Sequence, residues 1–230
     1  MASAFLDILK SELQHFKLAE SSLSEEQLRQ LSEYCSNLEQ WNEKTDLIAP
    51  CSREELVERH IKDSIIALDL VLTNLKPCSG PWLDVGSGAG LPGLVWAICL
   101  PGISFKLIEP RMKRVLFLNE MRRKLNLENL SVAESRFETF HVKQSASVVC
   151  CRALGSRPGF LKTARERLAS DGFVVELLGS GLDLKSLTEE NLSFGFEEPS
   201  ALPYSSSELL ASSGNPAENG CSLLVSTLIA

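Results

Sequence analysis

Residues 81–110 constrain the fold of this chain more than any other stretch. They read PWLDVGSGAGLPGLVWAICLPGISFKLIEP: an apolar strand, a glycine-rich turn, an apolar helix, a Pro-Gly break and a second apolar strand that ends in Glu109. This order is typical of a βαβ unit, in which a crossover helix joins two parallel strands. Because such units bind ligands where the first strand meets the helix, the stretch predicts a parallel α/β sheet with a ligand site at the turn.

The spacing of apolar residues divides the chain into two parts. Residues 1–78 have helical spacing and predict an N-terminal helical cap, whereas residues 79–230 alternate between strand and helix patterns and predict a doubly wound, mostly parallel sheet. The last two predicted strands, at 194–202 and 222–229, have no long helix between them, so we expect an antiparallel hairpin. The polar segment 203–220 is expected to be a mobile loop.

Three helices are predicted in the cap. The first covers residues 3–17, and the other two begin after Ser24 and Ser52, where capping-box patterns occur. On the third helix, His60 and Asp63 lie three residues apart and share one face. We expect them to form a hydrogen-bonded pair that ties the cap to the sheet, with a place in the ligand pocket as the alternative.

Composition excludes several classes of protein. No apolar run reaches the roughly 18 residues that a membrane span needs, and acidic residues interrupt the N-terminal stretch where a signal peptide would be apolar. The seven cysteines and three histidines are scattered, without a CxxC pair or a ligand cluster. This pattern favours reduced thiols over disulfides or a metal site. We therefore expect a cytoplasmic protein without a metal ion or a membrane partner.

The net charge of −7 is unevenly distributed. Basic residues outnumber acidic ones within 106–124 and within 152–167, whereas residues 1–78 and 168–230 are acidic. A basic surface on an acidic protein is compatible with a polyanionic partner, and equally with ordinary solvated helix surfaces.

The glycine-rich turn indicates a ligand that contains adenosine. Gly86, Gly88 and Gly90 let the backbone approach a ligand closely at the N-terminus of a helix. Glu109 ends the second strand, where an acidic side chain suits the hydroxyl groups of a ribose.

Two cofactors fit this turn. A G-x-G-x-x-G frame that ends at Gly93 is compatible with NAD. However, the frame that directly follows the strand is G-x-G-x-G, with Leu91 where a dinucleotide fingerprint needs glycine. We expect the carboxylate of Asp84 to face the ligand, where it would repel a pyrophosphate and favour the cationic S-adenosylmethionine.

Six segments of the chain resemble one enzyme family. They are WNEKTDLIA (41–49), RHIKDS (59–64), DVGSGAGLPGL (84–94), KRVLFL (113–118), SRFE (135–138) and CRAL (151–154). In this order and spacing they resemble the RsmG/GidB family of bacterial methyltransferases, which act on guanine N7 in small-subunit ribosomal RNA. The resemblance spans about residues 38–178 and implies a class I, Rossmann-like methyltransferase sheet with an N-terminal helical cap.

The glycine pattern and the resemblance together predict the S-adenosylmethionine site. Its residues are Asp84, Gly86, Gly88, Gly90, Leu91, Glu109, Pro110, Arg111, Phe137, Glu138 and Arg152. The resemblance implies that Phe137 and Glu138 border the adenine. It also implies that Arg152, at the end of the fourth strand, lies where the target base must come.

The implied reaction is methylation of guanine N7 in 16S ribosomal RNA by a monomeric enzyme, with the RNA or an assembling 30S subunit as partner. Guanine N7 has a free lone pair and no proton to lose, so the transfer needs alignment rather than a general base. Arginine commonly reads guanine O6 and N7 together. Since N7 must stay free to attack, we expect Arg152 to position the base through O6 or a phosphate.

RNA phosphates are expected to contact Arg111, Lys113 and Arg114 at the same rim, with ordinary solvated charges as the alternative. The chain departs from its relatives in lacking a basic residue at Leu178 and near residue 221. Two further readings therefore stay open: a catalytically inactive protein of this fold that binds cofactor and RNA, and an NAD-dependent oxidoreductase.

Overall fold

One mixed sheet organises the fold in the computed structural model, which describes residues 2–13, 16–18, 21–76, 79–152, 155–178, 183–204 and 221–229. The strands of this part of the chain are β1 (Trp82–Val85), β2 (Phe105–Glu109), β3 (Leu130–Glu134), β4 (Ala146–Arg152), β5 (Leu168–Leu178), β6 (Ser200–Tyr204) and β7 (Cys221–Thr227). Their order across the sheet is β3-β2-β1-β4-β5-β7-β6. The first five are parallel, and β7 is antiparallel to both β5 and β6. The prediction of a doubly wound α/β sheet is confirmed, and the closing strands pair as expected.

Helices cover both faces of the sheet. They are α1 (Ala2–Leu13), α2 (Glu25–Asn42), α3 (Arg53–Leu56), α4 (Asp63–Asn74), α5 (Gly93–Cys99), α6 (Met112–Lys124), α7 (Arg157–Arg167) and α8 (Leu184–Ser193). A π-helical segment, Val57–Lys62, joins α3 to α4, and a 3-10 turn, Phe137–Thr139, follows β3. The apolar spacing of the sequence does not reveal the π segment, because a single wide turn leaves the helical period nearly unchanged.

The starts of α2 and α3 are as predicted, and each begins with a reciprocal capping box, at Ser24 and at Ser52. The first helix is shorter than predicted: it ends at Leu13 instead of residue 17. The Phe16 amide donates to the Leu13 carbonyl at 3.0 Å, which closes a turn at the end of the helix.

The N-terminal helices pack directly on one face of the sheet. The main core contains Tyr34 of α2, Ile65 of α4, Trp96 of α5 and Phe117 of α6, all fully buried. The indole N–H of Trp96 donates to the Ser64 carbonyl at 2.6 Å, which adds a polar tie between α4 and α5. A second core under α7 covers the opposite face. The carboxyl ends of β1 to β4 thus meet at one edge, with α4 on one side and α7 on the other.

Two predicted features lie outside the described residues: all but the first two residues of the loop predicted at 203–220, and residues 153–154 of the CRAL segment. Within the described ranges, no helix combines the length and the apolar character needed to cross a membrane.

Candidate active site

A pocket of about 520 Å³ opens at the carboxyl ends of β1, β2 and β3. Its wall consists of Val85, Gly86, Ile108, Pro110, Arg111, Ser135, Arg136, Phe137, Glu138, Ser156 and Phe160. Val85, Ile108, Phe137 and Phe160 belong to the second core, and the two phenylalanine rings lie 5.9 Å apart between centroids. The pocket therefore has an apolar floor under a polar rim, and its size is that of a small-molecule site.

The glycine-rich turn lies beside this pocket in a conformation that needs glycine. Gly86, Gly88 and Gly90 have φ angles of 70°, 56° and 94°, which side-chain-bearing residues rarely adopt. A Cβ atom at Gly90 would also lie 2.8 Å from the Cβ of Leu94. The turn accordingly lets main-chain atoms approach a ligand where α5 begins.

Glu109 supports the turn from below. Its carboxylate accepts the Gly88 amide at 2.9 Å and the Arg111 amide at 3.0 Å, and Arg114 lies 3.9 Å away. The side chain is almost fully buried and does not line the pocket. Glu109, which the sequence predicted to bind the ribose, therefore lies behind the glycine-rich turn and supports it.

Asp84 does not face the pocket, contrary to the expectation from the sequence. Its carboxyl group points toward α5, where it accepts the Gly93 amide at 3.1 Å, and only 1% of the residue is exposed. Burial raises the pKa of Asp84 to about 7, more than its hydrogen bonds lower it. The carboxyl group joins β1 to α5, so its charge does not face the pocket and does not select a cationic ligand.

Replacing Asp84 with asparagine is expected to change how stability depends on pH. Because the folded-state pKa of Asp84 is raised, its contribution to stability is complete below pH 4 and is lost as the pH rises through about 7. The melting temperature of Asp84→Asn should therefore increase relative to wild type over this range, by roughly 5 °C at pH 8. Thermal unfolding at pH 4 and pH 8 measures this difference. An equal difference in melting temperature at both pH values would contradict a buried Asp84 carboxyl group with a raised pKa.

Arg152 lies at the seam between β4 and the cap. Cys151 pairs with Val85 across the β1–β4 ladder, so Arg152 follows beside the start of the glycine-rich turn. Its Nη2 donates to the Arg59 carbonyl at 3.1 Å and to the Asp63 carboxylate at 3.4 Å. Asp63 therefore ties the cap to the sheet through Arg152, whereas the sequence predicted a tie through a pair of His60 and Asp63, and Nδ1 of His60 has no partner.

The three predicted RNA-binding residues have different environments. Arg111 and Lys113 are exposed at the first turn of α6, and Arg111 also lines the pocket. Arg114 is only 26% exposed and faces Glu109. The structure therefore places Arg111 at the pocket and Lys113 in solvent at the start of α6, whereas Arg114 lies against Glu109, which supports the turn.

The cap contacts the turn through a buried tyrosine. The Tyr34 hydroxyl donates to the Ala89 carbonyl at 2.8 Å, between two of the glycines. Arg167 supports the other side of the pocket, where it donates to the carbonyls of Glu138 and Phe140 at 3.1 and 2.7 Å. Both walls are thus fixed by side chains distant in sequence.

Replacing Tyr34 with phenylalanine should weaken S-adenosylmethionine binding about fivefold, because the Ala89 carbonyl loses a buried donor worth about 1 kcal/mol. Isothermal titration measures the affinity. Gln30→Met is the matched control, because Gln30 lies on the same helix and donates to the Leu125 carbonyl, outside the turn, at 2.8 Å. Equal losses of cofactor affinity in both variants would show that Tyr34 acts on general stability alone.

Five predicted cofactor residues line the pocket: Gly86, Pro110, Arg111, Phe137 and Glu138. The other six do not contribute to its wall, namely Asp84, Gly88, Gly90, Leu91, Glu109 and Arg152. The sequence reasoning missed several wall residues. Ser135 and Arg136 were available from the SRFE segment, but Ser156 and Phe160 reach the pocket only because α7 packs beside the 3-10 turn. Within the described ranges, no group of three or more His, Cys, Asp or Glu is placed to hold a metal ion.

Solved structures show the same fold. The glycopeptide N-methyltransferase MtfA in complex with S-adenosyl-L-methionine has a TM-score of 0.59 at 12% identity, over 72% of this chain and 94% of that one. The CcbJ methyltransferase from Streptomyces caelestis has a TM-score of 0.57 at 13% identity, over 84% and 96%. These likenesses show that the fold is the class I methyltransferase fold.

Sequence relatives identify the family. The family model described as rRNA small subunit methyltransferase G (GidB) matches residues 27–201. Ribosomal RNA small subunit methyltransferase G of Methylobacillus flagellatus is 34% identical over 157 residues, which cover 68% of this chain and 74% of that protein. The protein of the same name from Ectopseudomonas mendocina is 36% identical over 157 residues, covering 68% and 72%. This chain belongs to the rRNA small subunit methyltransferase G family, as its motifs predict, and the family's cofactor is S-adenosylmethionine.

Proposed function

We propose that this chain transfers the methyl group of S-adenosylmethionine to N7 of a guanine in small-subunit ribosomal RNA. The observation that carries the proposal is the pocket, whose wall combines Gly86 of the glycine-rich turn with Phe137 and Glu138 of the SRFE segment in a chain of this family. We further propose a monomeric, cytoplasmic enzyme in which residues 1–78 act as a cap on residues 79–230. Its substrate is the RNA or an assembling 30S subunit.

The residues present fit S-adenosylmethionine. Gly86 lines the pocket without a side chain, so a ligand there can approach its main chain closely. The apolar floor near Phe137 and Phe160 suits an adenine ring, because aromatic rings favour contact with other flat, apolar groups. When bound, the cofactor supplies an electrophilic methyl group.

Positioning is the main task of the protein in this mechanism. The lone pair of guanine N7 attacks without prior loss of a proton, so the rate depends on how well the base is aligned and how long it is held. Arg152 lies at the end of β4, next to the turn, and in this proposal it orients the base. In this proposal, the exposed side chains of Arg111 and Lys113 hold RNA phosphates.

A methyl-transfer assay tests the function. Small subunits from a strain that lacks the corresponding gene are incubated with the protein and tritiated S-adenosylmethionine, and naked small-subunit RNA is assayed in parallel. Incorporation into the RNA supports the proposal, and the preferred substrate separates RNA from assembled subunit. Cofactor and RNA binding without incorporation would instead support the catalytically inactive alternative.

Lys113 and Arg114 should affect different binding steps, Lys113 the binding of RNA and Arg114 the binding of the cofactor. Lys113→Gln is expected to weaken RNA binding and to reduce the slope of log affinity against log salt by about 1, because one phosphate contact is lost. Arg114→Gln should mainly weaken cofactor binding, since Arg114 faces Glu109 beneath the turn. Filter binding at several salt concentrations and cofactor titration measure the two effects. A loss of cofactor affinity in Lys113→Gln, together with a loss of RNA affinity alone in Arg114→Gln, would contradict these roles.

A further inference from the structure

Two buried side-chain nitrogen atoms among the described residues have no hydrogen-bond partner, and both lie at the seam between the cap and β4. They are Nδ1 of His60 and Nη1 of Arg152. A buried polar atom left unpaired costs on the order of 1–3 kcal/mol. Such a cost needs an explanation, and a ligand group that pairs with both atoms provides one.

The hydrogen bonds that hold Arg152 at the seam leave its Nη1 unpaired. Nη2 reaches the Arg59 carbonyl, next to His60 in the chain, and the contact with Asp63 is long at 3.4 Å. The arginine side chain keeps 26% of its surface exposed, and His60 is half-buried. The side chains that carry the two unpaired atoms are therefore only partly shielded from solvent.

His60 is neutral at physiological pH. Burial, followed by the positive charges of Arg152 and Arg59, lowers the pKa of His60 to about 4. The charged groups at this seam are Arg59, Arg152 and Asp63. A neutral imidazole has one N–H donor and one acceptor nitrogen, so Nδ1 of His60 can accept a hydrogen bond. The seam thus offers an unpaired donor on Arg152 and an unpaired acceptor on His60.

We propose that these two atoms form a subsite that reads the O6 and N1–H edge of guanine. Nη1 of Arg152 donates to O6, and Nδ1 of His60 accepts from N1–H. Adenine reverses this order, with an amine donor at C6 and an acceptor at N1, so both contacts would become repulsive. Neither contact uses N7, whose lone pair stays free to attack the methyl group. This assignment rests on the proposed function and extends it to base selection.

Purine analogues test the subsite in the wild-type protein. Small-subunit RNA is ligated to carry guanosine, inosine or 2-aminopurine at the mapped target position, and N7 methylation is measured with tritiated S-adenosylmethionine. Inosine keeps O6 and N1–H, so kcat/KM should stay within about threefold of guanosine. 2-Aminopurine keeps N7 but lacks both groups, so kcat/KM should fall at least about 100-fold, as expected when a buried donor and acceptor are left unpaired.

His60→Ala separates base reading from cofactor binding. The variant should lower kcat/KM for guanosine RNA about tenfold and leave that for 2-aminopurine RNA unchanged, with unaltered affinity for S-adenosylmethionine. His141→Ala, at an exposed histidine, is the matched control and should change none of these values. Efficient methylation of 2-aminopurine RNA, or a loss confined to cofactor affinity in His60→Ala, would overturn the subsite. Failure of wild type to methylate guanosine RNA would instead overturn the proposed function.

Discussion

Replacing Gly93 with alanine is expected to abolish S-adenosylmethionine binding and to lower the melting temperature by roughly 5–10 °C. A Cβ atom at this position would lie 2.6 Å from both the Cβ of Asp84 and a methyl carbon of Leu107. These atoms belong to β1 and β2, so the start of α5 must move away from the sheet. The glycine-rich turn moves with it, because the turn joins β1 to α5 and Asp84 accepts the Gly93 amide.

Gly102→Ala is the control for this variant, because a Cβ atom there meets nothing within 4 Å. It should retain wild-type melting temperature and cofactor affinity, both measured by thermal shift with and without S-adenosylmethionine. A Gly93→Ala protein with wild-type affinity would show that the packing of α5 against β1 does not shape the cofactor site.

Replacing Arg152 with lysine is expected to reduce methyl transfer about 100-fold while cofactor affinity changes less than twofold. Lysine keeps a positive charge near Asp63, which is only 7% exposed, so the fold should persist. It lacks the planar fork in which Nη2 contacts Asp63 and the Arg59 carbonyl while Nη1 is left for the base of the proposed subsite. Single-turnover methylation and cofactor titration measure the two quantities.

Arg53→Lys is the matched control for the arginine fork. Arg53 contacts Glu39 through Nε and Nη2, both at 2.8 Å, in the cap. Its replacement removes a similar fork without touching the pocket and should leave methyl transfer unchanged. If Arg152→Lys also methylates at the wild-type rate with intact cofactor binding, Arg152 does not position the base.

The fold was largely predictable because its signals are local. Apolar strands, the glycine frame after Val85 and the capping boxes at Ser24 and Ser52 each act within a few residues, and the sheet and helix starts follow them. The predicted end of the first helix lies beyond the observed one, because the apolar spacing continues to Phe16 whereas α1 ends at Leu13.

The candidate site was predictable only where its residues belong to a motif. Phe137 and Glu138 line the pocket as expected, whereas Asp84 turns toward α5 because a helix amide offers its carboxyl group a partner. The direction of a side chain at a strand end depends on such packing. Contacts between distant segments, such as Arg152 with Asp63, depend on how the cap docks and have no signal in the spacing of residues.

Mass mapping of ribosomal RNA tests the central claim most directly. Small-subunit RNA is isolated from cells with and without the gene, and the RNA that lacks the modification is then treated with the purified protein and S-adenosylmethionine. We expect one methyl group, on N7 of a single guanine, to disappear with the gene and to return on treatment. A methyl group that returns on another atom or on another base, or identical RNA from both strains, would contradict the account.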